Sequence, residues 1–362
     1  MFLYQYARSM PRRNMTVVRI LFLADSHLGF DLPTRPRVMR RRRGADFFDN
    51  FDRALTVARS GEVDLVVHGG DLLYRRRVPP SLVQSAFLPL KQVADMSIPV
   101  YLVPGNHERS EIPYQMLALH PNIHIFDRPR TFATEVNGTS VVLAGFPYCR
   151  NGVRGAFADL LDATGWRSVA AQINLLCVHH CFEGATVGPG NYTFRNGSDV
   201  VRVADVPEEF AAVLSGHIHR HQILNTDLRG RALATPVLYP GSIERTSFAE
   251  KDELKGYLVL GVAPDRSRGG VLRTCEFRCL PTRPMLLCDL HASPAGGAGL
   301  QRAMEDAIAQ APFDAILRLQ IHGPLDDGAR SVLSAAKLRS LIPPTMNVEV
   351  RIVEDDRSSR RR

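Results

Sequence analysis

The chain has 362 residues, 45% of them hydrophobic, and a formal net charge of +8. That length can bury a sizeable core and suits one large domain plus a smaller one, while the positive balance favours polyanionic partners, nucleic acid before membrane. No apolar stretch approaches the roughly 20 residues of a membrane span, and 6 cysteines without a dense framework exclude a disulfide-stapled scaffold and fit a reducing cytosol.

Residues 1–15 carry Arg and Tyr where a signal peptide would have its apolar region, and are predicted to be an unstructured extension, with Met15 a candidate start of translation. Short apolar runs follow at Val17–Ala24, Asp64–Val67, Pro99–Val103, Ser140–Ala144, Ile173–Val178 and Ala211–Leu214. They are rich in β-branched residues and mostly continuous, as strands buried on both faces are. Between them, Phe47–Arg59 and Ser81–Ala94 place apolar residues at helical spacing. The pattern predicts a layered α/β domain, continuing through a strand at Gly256–Val262.

The composition changes near Pro281–Pro284. Beyond it, strand-like Met285–Leu290, Ala315–Ile321 and Val348–Val353 alternate with helical stretches near Leu300–Ala311 and Ala329–Leu341, predicting a small α+β module. The expected divisions are therefore 1–15, 16–284, 285–354 and a basic tail at 355–362. Cys177/Cys181 and Cys275/Cys279 are spaced C-x3-C, but neither pair has the second half of a structural zinc site. Cys177 reads as a buried thiol inside an apolar run.

The informative polar residues sit where the apolar runs stop. The first run ends in Asp25-Ser26-His27, the second in Gly70-Asp71, the third in Gly105-Asn106-His107-Glu108. Ile173–Val178 ends in His179-His180, and Ala211–Leu214 in Gly216-His217-Ile218-His219. Ligands of layered α/β folds bind outside the carboxyl ends of strands, so these clusters should converge on one edge. Each alone reads as a turn, a cap or a surface histidine. Together, carboxylate, imidazole and amide donors suit manganese, iron or zinc, and a shared Asp would let two ions sit roughly 3.5–4 Å apart. Two such cations would acidify a bound water into a nucleophile, so no Ser, Cys or Lys nucleophile is needed.

The order D-x-H, G-D, G-N-H-[DE], H, G-H-x-H resembles that of the calcineurin-like metallophosphoesterases over roughly residues 17–262. The resemblance implies an α/β fold, a double β-sandwich flanked by helices. It implies two divalent metal ions, manganese above all, one held by Asp25, His27, Asp71 and His219, the other by Asp71, Asn106, His179 and His217. His180, adjacent to His179, is the alternative ligand. His107 corresponds to the family's non-ligand histidine, which contacts the scissile phosphate. Asp25-Ser26-His27-Leu28-Gly29, a basic loop, Tyr239-Pro240-Gly241-Ser242-Ile243-Glu244-Arg245 and Lys255-Gly256-Tyr257 narrow the likeness to DNA repair nucleases of the SbcD type, with the module after Pro284 placed as their capping domain is. Tyr74 stands where many of these nucleases have a second catalytic histidine. Tyrosine is a poor proton shuttle at neutral pH.

Arg40, Arg41, Arg42 and Arg43, with Arg35 and Arg37 nearby, follow the first motif, and Arg75, Arg76 and Arg77 follow Asp71. Beside a phosphoesterase site such runs are candidate backbone contacts to DNA. His68 is expected to be a packed strand-end residue, and His221 a neighbour of the site or a surface residue. The expected partners are DNA, a coiled-coil SbcC-type ATPase and a second copy of the chain, in the cytoplasm and without a membrane. The expected activity is DNA exonuclease with endonuclease action, in DNA repair or processing. A small-nucleotide phosphodiesterase is disfavoured by the arginines and the extra module. A non-catalytic DNA-binding subunit is disfavoured by the complete ligand set.

Overall fold

The computed structural model describes residues 17–31, 41–108, 119–265, 267–292 and 296–353. The terminal extension 1–15, Arg35, Arg37, Arg40 and the tail 355–362 lie outside them. Two compact units divide the chain: the larger holds residues up to Phe30, Asp46–Thr246 and Glu253–Pro281, and the smaller Asp31–Ala45, Ser247–Asp252 and Thr282 onward.

The strands of the larger unit are β1 (Val18–Leu23), β2 (Leu65–His68), β3 (Val100–Leu102), β4 (Ile123–Ile125), β5 (Arg130–Val136), β6 (Thr139–Gly145) and β7 (Ile173–Val178). The two-residue strands β8 (Cys181–Phe182), β9 (Thr186–Val187), β10 (Tyr192–Thr193) and β11 (Val200–Val201) follow, then β12 (Ala212–Ser215), β13 (Gln222–Thr226), β14 (Ala232–Tyr239), β15 (Gly256–Ala263) and β16 (Val271–Cys279). Among the described residues its α-helices are α1 (Arg43–Arg59, begun in the other unit), α2 (Pro80–Asp95) and α3 (Val153–Asp162).

Two six-stranded sheets result, in the orders β16-β15-β1-β2-β3-β4 and β13-β14-β12-β7-β6-β5. β1 to β4 are parallel, as are β6, β7, β12 and β14, while β15 pairs antiparallel with β1, β16 with β15, β5 with β6 and β13 with β14. Alternation along each central strand assigns its two faces. Val18, Ile20 and Phe22 share a core with Ile173, Leu175, Cys177, Ala212 and Leu214, which lies between the sheets. Leu21, Leu23 and Val66 instead join Phe47, Phe51 and Ala54 of α1 and Ala86, Leu90 and Val93 of α2. Val142, Leu176 and Val213 meet Val153, Phe157 and Leu161 of α3. The unit is thus a double β-sandwich flanked by helices. Central strands buried on both faces explain the uninterrupted apolar runs.

Several strands escape that pattern. β5 and β16 are half exposed, and β13 is an edge strand with two exposed residues, so none forms an apolar run. β14 contains Pro236, which discourages a strand assignment.

The smaller unit carries the parallel sheet β17 (Met285–His291), β18 (Ile316–His322) and β19 (Asn347–Val353), with helices α4 (Gly296–Gln310), α5 (Asp327–Val332) and α6 (Ala335–Leu341). Leu300, Met304 and Ile308 of α4 pack with Leu317, Leu319 and Ile321 of β18. The helical stretch expected at Ala329–Leu341 is two helices. Ser334 breaks it by turning its hydroxyl to accept from Lys337 N, which starts a new helix instead of continuing the old one. The excursion Ser247–Asp252 contributes Phe248, buried with Met285 and Ile316, and the Arg318 guanidinium lies 4.0 Å from the Phe248 ring centre. Among the described residues no helix is long and apolar enough to cross a membrane.

The Asp326 carboxylate caps α5, accepting from Ala329 N at 2.7 Å. Asp326→Ala should therefore destabilise the smaller unit by roughly 0.5–2 kcal/mol, read as a lower urea midpoint, with Asp326→Asn close to wild type.

Candidate metal centre

Strands β1, β2 and β3 lie side by side in one sheet, and β7 and β12 side by side in the other. Their carboxyl ends deliver Asp25 and His27, Asp71, Asn106 and His107, His179, and His217 and His219 in turn. The chain pieces are stitched at the main chain: Asp25 N donates to Gly70 O, and His27 N to Asp71 O, both at 2.9 Å.

The side chains converge as two groups that meet at Asp71. In one, His27 Nε2 lies 2.9 Å from His219 Nε2, and His219 Nε2 lies 4.0 Å from Asp25 Oδ1. In the other, Asn106 Oδ1 lies 3.1 Å from His179 Nε2 and 2.9 Å from His217 Nδ1. Asp71 Oδ2 stands between them, 4.0 Å from His27 Nε2 and 3.4 Å from His179 Nε2. Ligand atoms of Asp25, His27 and His219, and those of Asp25, Asp71 and His179, fall within 4.8 Å of one another. His179 Nδ1–H donates to Gly69 O at 2.7 Å, which fixes the tautomer and presents Nε2 to the cluster, as a ligand histidine requires. Donor types, convergence and tautomer all fit a pair of divalent cations sharing Asp71.

His180 points elsewhere. Its Nε2 accepts from Cys149 N at 3.2 Å, and its ring stacks on Tyr148 with centroids 5.1 Å apart. His107 flanks the cluster. Its Nδ1–H donates to the Tyr74 carbonyl at 2.6 Å, leaving Nε2 3.9 Å from Asp71 Oδ2. That contact uses the main chain of Tyr74, not its phenol.

The backbone is bent to achieve this. Asp25, His27, Asp71 and His217 all adopt left-handed φ, of 50°, 42°, 52° and 82°. Such conformations cost of order 1–3 kcal/mol each for non-glycine residues and persist only where the surroundings impose them. Gly105 lets the third loop approach so closely that a Cβ there would strike the Asp71 carboxylate, and a Cβ on Gly70 would strike the His179 ring.

Two buried polar residues hold the loops, and motif reading alone does not reveal how. Glu108, fully buried, accepts from Gly105 N at 2.7 Å, Leu73 N at 2.8 Å and Asp71 N at 3.1 Å, clamping the second loop to the third. His68 accepts from Gly70 N at Nδ1 and therefore donates from Nε2 to Ser26 Oγ at 2.8 Å, joining the first loop to the second. His221 donates to Tyr239 O and stacks on Phe277.

Crowding sets the protonation. Burial alone would raise Asp71, but the adjacent His179 outweighs it and holds the carboxylate well below its usual range. Burial would lower His179, but the Asp71 and Asp25 carboxylates push it up to about 9. Burial raises Asp25. Burial, then the charge on His179, takes His68 down to about 3.

The arginines divide. Arg75, Arg76 and Arg77 are exposed and follow directly from Tyr74. Arg42 pairs with the Asp31 carboxylate, and the main chain of Arg41 bonds Pro344 and Asn347, so both take part in holding the smaller unit together.

Glu108→Gln replaces one of two acceptors with an amide facing a main-chain N–H. It should cost about 1–3 kcal/mol of stability, measured by denaturant unfolding. A second expectation follows from His68, whose folded-state value lies below its unfolded value of about 6.5. Its neutral form is favoured by folding, so its contribution is constant above pH 6.5 and stability falls as pH drops from there towards 3. His68→Gln should make the acid slope shallower by up to about 1.4 kcal/mol per pH unit in chelator-treated protein.

Comparison with known proteins finds relatives of the whole domain. A "DNA double-strand break repair protein Mre11" of Haloferax volcanii is 27% identical over 308 residues, covering 85% of this chain and 62% of that protein. The protein of the same name from Halobacterium salinarum is 28% identical, covering 81% of this chain and 69% of its own length. The chain thus spans about two thirds of the length of these relatives. A dimetal phosphatase from Danio rerio has a solved structure 14% identical, covering 71% of this chain and 99% of that one, at a TM-score of 0.43. The calcineurin-like phosphoesterase family pattern matches residues 18–221, more than half of the sequence, and the chain belongs to that family.

Proposed function

We propose that the chain is a metal-dependent DNA nuclease that hydrolyses phosphodiester bonds at a pair of divalent cations, manganese best, acting from DNA ends and internally in repair or processing. The observation that carries this reading is the sharing of Asp71 between two donor groups with His107 beside them. Its kinship with relatives named for DNA double-strand break repair turns the general phosphoesterase reading towards DNA.

The groups assigned to one cation are Asp25, His27, Asp71 and His219, and to the other Asp71, Asn106, His179 and His217. When bound, the pair supplies Lewis acidity and lowers the pKa of a water. The chain's own residues do the rest. Asp71 and Asn106 fix the spacing, and buried walls keep bulk water from screening the charges. His107, fixed at Nδ1 by the Tyr74 carbonyl, presents Nε2 to the phosphate and can donate a proton to the leaving oxygen. Arg75, Arg76 and Arg77 offer exposed charge to the DNA backbone, with Arg40, Arg41, Arg42 and Arg43 as a second set. The smaller unit takes the role of a capping domain that selects DNA structure. A coiled-coil ATPase is the partner this reading adds, in the cytoplasm.

The test offers the purified chain labelled linear and hairpin DNA beside cyclic nucleotides, with manganese. Cleavage of DNA that stops on chelation supports the reading, and cleavage that survives exhaustive chelation overturns it. Asp71→Asn should lose cations and activity together. His107→Leu should keep its cations and lose rate by roughly 10²–10⁴-fold. Tyr74→Phe should cost far less, since the carbonyl that holds His107 remains. Elemental analysis and nuclease rates under excess manganese separate these outcomes. Neutralising Arg75–Arg77 should weaken DNA binding and flatten its salt dependence, with little change in hydrolysis of a small chromogenic phosphodiester.

A further inference from the structure

Lys255 is a fully buried lysine in the larger unit, and the mechanism above makes no use of it. Its Nζ donates to the main-chain carbonyl of His219 at 2.9 Å and lies 3.3 Å from Glu253 Oε2. Glu253 Oε1 in turn accepts from Arg220 Nε at 2.9 Å, and the Glu253 carbonyl accepts from Arg245 Nε and its terminal nitrogen at 3.2 and 3.0 Å. Arg220 is anchored further out, on Asn191 Oδ1 and Gly188 O, both at 2.7 Å. A chain of charge-assisted bonds therefore runs from the surface inward and ends on one peptide group of the Gly216-His217-Ile218-His219 loop.

That peptide group sits at a demanding point. His217 has left-handed φ, so the loop reverses sharply to aim His217 and His219 at the same cluster. His217 is held by the Asp25 carboxylate, both of whose oxygens accept from its N–H at 3.1 Å. His219 is held at its carbonyl and its ring. Its carbonyl takes Ser242 N at 3.1 Å and Lys255 Nζ, and Thr246 Oγ1 lies 3.3 Å from its Nδ1. Gly241 admits this packing, since a Cβ there would come within 2.8 Å of the His219 carbonyl. Burying an ammonium costs several kcal/mol unless it is fully paired, and apolar replacements of buried ion pairs are often as stable. The arrangement is better explained by the geometry it imposes than by stability.

We infer that Lys255, braced by Glu253 and Arg220, is a positioning residue that sets the His219 imidazole for the cation shared with Asp25 and His27. This rests on the metal-centre reading of His219. Groups that orient ligands in this way typically contribute about 10–100-fold to metal affinity.

The experiment titrates manganese(II) into metal-free full-length protein by calorimetry and electron paramagnetic resonance, for wild type, Lys255→Met, Lys255→Arg, Glu253→Gln and His219→Ala. Lys255→Met should weaken one of the two manganese sites by about 10–100-fold and leave the other within about twofold. Lys255→Arg should restore most of the loss, and Glu253→Gln should show a smaller loss at the same site. If Lys255→Met does not fold, as judged by circular dichroism, the Glu253→Gln result decides. Wild-type affinity at both sites in a folded Lys255→Met, or in Glu253→Gln when that variant decides, overturns the inference. So does equal weakening of both sites, which would mark a general loosening of the fold. His219→Ala separates the two levels: if it loses one site while Lys255→Met loses none, the metal centre stands and the positioning role falls. If His219→Ala keeps both sites, the ligand assignment falls with it.

Discussion

Carboxylates and imidazoles crowd the carboxyl end of the double sheet with their lone pairs aimed at one another, and nearly everything else in the larger unit serves that arrangement. Unshared lone pairs a few ångströms apart in a buried site repel. Something positive must lie between them. The Asp71 and Asp25 carboxylates push His179 up to about 9 although burial opposes it, and His179 in turn holds Asp71 ionised. A divalent ion would do the same with more charge and with directed bonds.

The main chain absorbs the strain. Four left-handed non-glycine residues at the donor loops are too concentrated to be incidental. Glu108 then locks the loops together through three backbone N–H groups, and His68 through the Gly70 N–H and the Ser26 hydroxyl, so neither uses a ligand side chain. The effect is a cradle braced by main-chain bonds. Preorganisation of this kind places charge where it will be needed without reorganisation during reaction.

Most of this was legible in the chain, for a physical reason. Strands such as β1 and β7, buried on both faces, write themselves as unbroken apolar runs, and a run that stops in Asp, His or Asn marks both the strand end and the site. Half-exposed β5, β13 and β16 have no such mark. Adjacent His179 and His180 could not be told apart by order, because successive residues leaving a strand face opposite ways, and only packing against Tyr148 and the Gly69 carbonyl shows which way each turns. Glu108 and Lys255 were hidden for another reason. Their distant partners, Asp71 N and Leu73 N for Glu108 and the His219 carbonyl for Lys255, are main-chain atoms brought close by folding, and no spacing in the sequence encodes them.

The excursion at Ser247–Asp252 gives the chain an unusual order of completion. Phe248 leaves the ribosome ahead of β15 and β16, yet the apolar residues that bury it, Met285 and Ile316, come after both sheets of the larger unit have been synthesised. This aromatic side chain is thus covered by residues synthesised well after it. The same threading limits how such a protein can be shuffled by recombination. A crossover near Pro281 would exchange β17 and β18 without the Phe248 they enclose.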